Sequence, residues 1–141
     1  MEKVEIQTCK DLIKNIDKHF LDDYILFLSE GNYGGQTLYF MEKNGNAVAL
    51  LNWYFEGDYN DSIILSNMNV NTYHRKKGYG TRLQEVRENL GIQLGAKCSY
   101  LWVDKNTWQY DWYIRRGYEY YPENEHEDSN WTKMKKQLKE I

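Results

Sequence analysis

The 141 residues predict an α/β domain with a mixed, mostly antiparallel central sheet flanked by helices. Three observations carry that expectation. Two stretches rich in aliphatic and aromatic residues, 37–41 and 47–55, flank Asn44-Gly45, the strongest short signal for a hairpin. Leu83, Val86, Leu90 and Leu94 recur at spacings of three and four, as on the buried stripe of an amphipathic helix. Beyond that helix, short apolar runs alternate with a second helical pattern, so strands and helices share one sheet.

In the first 30 residues, Leu12, Ile13, Ile16, Phe20, Tyr24, Phe27 and Leu28 are spaced by threes and fours. That stripe predicts one or two amphipathic helices and makes residues 1–36 a helical segment, closed by Gly31, Gly34 and Gly35. The hairpin follows. Polar residues 56–61 then lead to a third strand at Ser62–Val70, so residues 37–70 read as an antiparallel meander. The helix carrying Leu83 should run about five turns, with Arg82, Glu85 and Arg87 off its apolar stripe. Gly91 in its interior costs roughly 1 kcal/mol relative to Ala, and Gly95 is placed to end it. A strand is expected at 97–103, a second helix at 107–116 and another strand at 117–121. An acidic loop at 124–130 precedes a last strand at 131–138, despite its lysines. No repeat, low-complexity tract or Pro/Ser-rich linker interrupts the chain, so residues 1–141 read as one domain, with the sheet core in 37–141.

Composition narrows the function classes. Net charge is −3, which gives no reason to expect a nucleic-acid partner. Cys9 and Cys98 form no C-x-x-C pair and read as free thiols in a reducing compartment. His19, His74 and His126 are scattered, so no metal site is expected. The N-terminus lacks the apolar stretch of a signal peptide, and no apolar run of about 18 residues is present, so neither export nor a membrane span is expected. The expected location is cytoplasmic.

The most informative segment is the loop at residues 75–80, Arg-Lys-Lys-Gly-Tyr-Gly, between a strand and a helix. Gly78 and Gly80 let the backbone turn tightly, so several amides can converge on one concavity. The helix start adds the positive end of its dipole, and Arg75, Lys76 and Lys77 add charge. This is an anion cradle suited to a diphosphate, although a plain basic turn has the same composition. Leu83 stands where a G-x-G-x-x-G fingerprint needs its third glycine, and no G-x-x-x-x-G-K-[ST] string is present.

A strand ending in Val70, then R-x-x-G-x-G, then a long amphipathic helix resembles the coenzyme A motif of the GNAT superfamily of N-acetyltransferases. A second motif supports the resemblance. After the next strand come Asn106, Tyr113 seven residues later, and Gly117-Tyr118 four after that. The resemblance extends over roughly residues 47–121 and is only architectural before residue 37, where it implies an acceptor-side helical segment. It implies an acyl-CoA-dependent N-acyltransferase with acetyl-CoA as co-substrate and a primary amine as acceptor, acting as a monomer or homodimer.

The resemblance also assigns roles. The backbone of Met68, Asn69 and Val70 would pair with the pantetheine arm. Amides of Arg75, Lys76, Lys77, Gly78, Tyr79, Gly80 and Thr81 would take the pyrophosphate. Asn106 would help hold the arm, and Tyr113 would protonate the departing thiolate as general acid. The amide of Val70 would polarise the thioester carbonyl. Where some members carry a glutamate base this chain has Ile64, which leaves Ser66, Asn67 and Asn69 as a candidate water relay and Glu56 and Asp58 as the nearest carboxylates. The same resemblance without a base allows an acyl-CoA-binding module with no turnover. Two acidic clusters, Glu56, Asp58 and Asp61, then Glu123, Glu125, Glu127 and Asp128, would favour a cationic acceptor if they border the cleft, and otherwise read as solvated loops.

Overall fold

A computed structural model describes residues 4–16, 18, 22, 24–31, 34–56, 62–70, 79–121 and 130–138. The chain runs α1 (Ile6–Ile16), β1 (Ile25–Glu30), β2 (Gln36–Met41), β3 (Ala47–Glu56) and β4 (Ser62–Val70). It continues with α2 (Tyr79–Gln93), β5 (Cys98–Asp104), α3 (Trp108–Arg115), β6 (Glu119–Tyr120) and β7 (Trp131–Gln137). The strands form one sheet of seven in the order β1-β2-β3-β4-β5-β7-β6. Among the described strands only the β4–β5 pair is parallel. Its connection is α2, since parallel neighbours need a crossover rather than a turn.

The hairpin forms at the Asn-Gly turn. Gly45 has φ 93°, the left-handed region that glycine enters without a steric penalty. Its amide donates to Glu42 O at 2.9 Å, and Asn44 Oδ1 accepts from the amide of Asn46 at 3.1 Å. The side chains of Leu38 and Phe40, Leu51 and Trp53, Ile63 and Leu65, Leu101 and Val103, and Met134 alternate onto one face and are buried there. Cys9 and Ile13 of α1 join that core with Leu83, Val86 and Leu90 of α2. Each such side chain contributes roughly 1.5–3 kcal/mol relative to an exposed one.

Residues 25–30 correct the expectation of a helical segment through residue 36. They form an edge strand paired with β2, Leu26 opposite Phe40 and Leu28 opposite Leu38. The physical reason is that Tyr24, Leu26 and Leu28, a period of two, pack on the core, while Ile25 and Phe27 are exposed. Tyr24, Phe27 and Leu28 mimic a helical spacing by coincidence, and Phe20 lies outside the described residues. A second correction concerns the helix after the glycine loop, which has 15 residues, about four turns rather than five. It ends where Gly95, at φ 92°, donates to Ile92 O and Ala96 donates to Gly91 O, a Schellman cap.

Gly91 has a packing reason. A Cβ there would lie 2.8 Å from Ile63 Cγ2 and 3.1 Å from Leu138 Cδ1, so glycine lets α2 lie close against β4. The last strand resolves the lysine puzzle by alternation: Thr132 and Met134 are buried while Lys133 and Lys135 lean over aromatic rings on the opposite face. No helix among the described residues is long and apolar enough to cross a membrane.

Candidate active site

β4 and β5 pair only from Ser62–Cys98 to Leu65–Leu101. Beyond that point β4 continues to Val70 and β5 to Asp104, each paired on its outer side but not with the other. The sheet therefore splits along Met68, Asn69 and Val70. A bulge sits at the start of the split. Leu51 pairs with Met68 and Trp53 with Leu65, so Asn52 faces two residues of β4, 66 and 67. An extra residue on one strand bends it and increases its twist, which turns β4 away from β5. An extended ligand entering here would meet strand backbone that has no strand neighbour on that side among the described residues.

α2 begins at the open end of β4, so its first turn presents amides that have no partner within the helix, and the positive end of the helix dipole. Tyr79, Gly80 and Thr81 occupy that turn. Among the described residues a Cβ on Gly80 would meet only Trp112 Cζ2, at 3.8 Å, an ordinary contact, so packing against them does not require glycine there. Close approach of a ligand does offer a reason. Arg116 ties the two helices together: its Nη2 donates to Thr81 Oγ1 at 2.9 Å, its Nη1 donates to Trp112 O at 3.1 Å, and the guanidinium stacks 3.6 Å from the Trp112 ring centroid. Arg75, Lys76, Lys77 and Gly78 lie outside the described residues, as do His74, Asp58, Asp61 and the acidic run 123–128.

Tyr113 lies near the end of α3. The helix stops in a second Schellman cap, with Gly117 at φ 93° donating to Ile114 O and Tyr118 donating to Tyr113 O. In this motif the residue after the glycine packs on the residue five before it. Here the Tyr113 and Tyr118 rings meet edge-on at 5.4 Å. The Tyr113–Gly117–Tyr118 spacing is thus a helix-ending device that also fixes the Tyr113 ring. Trp112 supports the ring from the other side at 4.9 Å.

Burial separates the two phenols. Tyr118 is 1% exposed, and its hydroxyl lies 2.8 Å from Ser99 Oγ and accepts from Gln84 Nε2 at 2.9 Å. Desolvation, with nearby Glu88 next, holds its pKa well above the ordinary tyrosine value, so it stays a neutral structural group. Tyr113 is only half-buried, and its hydroxyl is 3.5 Å from Arg87 Nη2.

Arg87 connects this hydroxyl to the split. It is fully buried, its Nη1 donates to Asn52 O opposite the bulge at 3.3 Å, and its Nη2 donates to Gln84 Oε1 at 2.8 Å. The expectation that Arg87 lies off the apolar stripe is therefore wrong. Its spacing held the signal: Leu83, Arg87 and Leu90 are four and three apart, the same stripe as Leu83, Val86 and Leu90. Gln84 was also missed and is 2% exposed. Asn106 lies in the turn before α3, exposed, with its amide donating to Asp104 Oδ1 at 2.9 Å. Ile64 is buried and apolar, so the position can take no proton. Among the described residues no three His, Cys, Asp or Glu side chains are grouped to hold a metal ion.

A split in a mixed sheet, the first turn of α2 and a buried arginine joining Tyr113 to the bulge together make the candidate site. The profile of the Acetyltransferase (GNAT) family matches residues 6–118, and the chain belongs to that family. Comparison with curated proteins gives no match. Solved structures share the fold at low identity. An acetyltransferase of the GNAT family from Staphylococcus aureus is 16% identical, with 97% of this chain and 82% of that one covered and a TM-score of 0.62. N-acetylglutamate synthase from Neisseria gonorrhoeae, complexed with coenzyme A and N-acetyl-glutamate, is 14% identical, with 98% and 34% covered and a TM-score of 0.62. PaiA N-acetyltransferase from Thermoplasma acidophilum, in complex with coenzyme A, is 14% identical, with 72% and 59% covered and a TM-score of 0.59.

Proposed function

We propose that this protein moves an acetyl or short acyl group from acyl-CoA to a primary amine by direct transfer. One observation carries the reading: a single buried guanidinium touches both Asn52 O, at the bulge where β4 leaves β5, and the hydroxyl of Tyr113. The phenol is thereby held beside the place where an extended thioester arm would lie.

In this reading the backbone of Met68, Asn69 and Val70 pairs with the pantetheine arm. Tyr79, Gly80 and Thr81, with Arg75, Lys76, Lys77 and Gly78 ahead of them, take the pyrophosphate. Among the described residues nothing crowds a Cβ at Gly80, which fits that role. Asn106 holds the arm from the α3 side. Complexes of two similarly folded proteins with coenzyme A support the same substrate class.

The amine nitrogen attacks the thioester carbonyl, a C–N bond forms and the C–S bond breaks. Polarisation of that carbonyl falls to the amide of Val70. Tyr113 gives its proton to the departing thiolate, so coenzyme A leaves as a thiol. Asn52 Oδ1 is buried with no hydrogen-bond partner among the described residues, and an incoming amine N–H would satisfy it. Ile64 supplies no base, so the amine proton leaves by another route, of which a water relay past Ser66, Asn67 and Asn69 is the shortest in sequence.

The buried Ile64 also favours a second reading, an acyl-CoA-binding module without turnover. Thiol release from acetyl-CoA with a panel of amines separates the two. The enzyme reading expects release that Tyr113→Phe lowers by about 10²–10⁴-fold. Unchanged release in Tyr113→Phe would remove the general-acid role. Tight binding with no release from any amine would leave the module.

A further inference from the structure

We infer that Arg87 is a positioning residue for acyl transfer, holding the Tyr113 hydroxyl at the split and stabilising the charge that gathers on its oxygen as the proton departs. This rests on the proposed role of Tyr113 as proton donor.

Position 87 lies on the apolar stripe of α2, between Leu83 and Leu90, where a leucine or methionine would fill the core without burying a charge. Burying a cation carries a desolvation cost that only well-placed partners offset. The partners here are arranged rather than incidental. Gln84 uses its amide nitrogen on Tyr118 Oη at 2.9 Å and on Glu88 Oε2 at 3.0 Å, which turns its Oε1 toward Arg87. Glu88 is itself held by Lys136 of β7, and Tyr118 by Ser99 of β5. Two strands and a helix thus fix the guanidinium plane before any ligand enters.

The fork then reaches two groups of the site at once. Nη1 meets Asn52 O at 3.3 Å and Nη2 meets Tyr113 Oη at 3.5 Å, the outer limit for a hydrogen bond. Catalytic contacts are often this loose before substrate binds and tighten in the reacting complex. A planar guanidinium can hold both acceptors together, whereas the point charge of a lysine cannot. As Tyr113 donates its proton to the thiolate, negative charge grows on Oη next to a buried cation, where the local dielectric makes the attraction strong.

The test is thiol release from acetyl-CoA, using water alone and the fastest amine of a panel, for wild type, Arg87→Gln, Arg87→Lys, Tyr113→Phe and the double variant Arg87→Gln/Tyr113→Phe. Arg87→Gln should lower kcat about 10- to 100-fold, the range for losing a hydrogen bond to a charged group. Its KM for acetyl-CoA should stay within about twofold, and Arg87→Lys should recover part of the loss. In the Tyr113→Phe background, Arg87→Gln should cost nothing further, because the two residues act as one unit. Unchanged kcat in Arg87→Gln, or an equal extra loss in the double variant, overturns the inference. If Arg87→Gln does not fold, full wild-type kcat in Arg87→Lys overturns it. Unchanged turnover in Tyr113→Phe instead overturns the proton-donor reading beneath it.

Discussion

Two tyrosines five positions apart, with rings meeting edge-on, sit in opposite surroundings. Tyr118 is enclosed by Ser99 and Gln84, and Tyr113 is half-open beside Arg87. The same contrast separates the two thiols. Burial pushes the Cys9 thiol up from 9.0 to about 12, while Cys98 is half-buried at the start of β5. Below pH 9 folded and unfolded chains both carry the Cys9 proton. Between 9 and about 12 the unfolded chain ionises and the folded one does not, so stability should fall as pH rises through that window. Alkylation by iodoacetamide at neutral pH, read by mass spectrometry, should modify Cys98 in the native protein and Cys9 only in denaturant. Equal labelling of both in the native protein would contradict the burial. At this scale the sequence reveals residue types but not depth. Tyr113 was legible from its spacing to Asn106 and Gly117. Arg87 was not, because a charge on a helix reads by default as solvent-facing, and only the β4 bulge opposite Asn52 explains its partner.

Elements were legible wherever a local rule decided them. Asn44-Gly45 set the hairpin, and Gly95 ended α2. Where two periodicities coincided, as at Tyr24, Phe27 and Leu28, the sheet edge decided in favour of a strand. Glycine at 91 reads in sequence as a helix defect, and the close approach of α2 to Ile63 reverses that judgement. Gly91→Ala would gain roughly 1 kcal/mol of helix propensity but force a methyl against Ile63 and Leu138, an overpacking cost of about 1–3 kcal/mol. The expected outcome is a lower denaturation midpoint with an unchanged slope, measured in urea. A raised midpoint would show that α2 can shift outward freely. Gly117→Ala has a different cause. Its φ of 93° imposes about 1–2 kcal/mol on any residue with a Cβ. Because the cap also seats Tyr113, turnover should fall together with stability in that variant.

At the scale of the whole molecule, the proposed function depends on where the sheet fails to close. The parallel β4–β5 pairing ends at Leu65–Leu101, and the bulge opposite Asn52, α2 and α3 all border the resulting split. No local signal in the sequence announces the end of that pairing. It is a long-range property, and only the resemblance carried by residues 75–80 pointed toward it. Acetyl-CoA bound there should stabilise the whole fold, by about 2.7 kcal/mol at 100 times its dissociation constant. The central claim is that the split and the first turn of α2 form one coenzyme A site, and titration calorimetry of acetyl-CoA into wild type and Gly80→Asp tests it most directly. Among the described residues a Cβ at Gly80 makes only an ordinary contact with Trp112, so the variant should fold, which its circular dichroism and thermal melt check. Wild type should bind acetyl-CoA one-to-one, and Gly80→Asp, whose carboxylate would face the pyrophosphate, should lose that binding. No heat with wild type, or equal affinity in a folded Gly80→Asp, would contradict the claim.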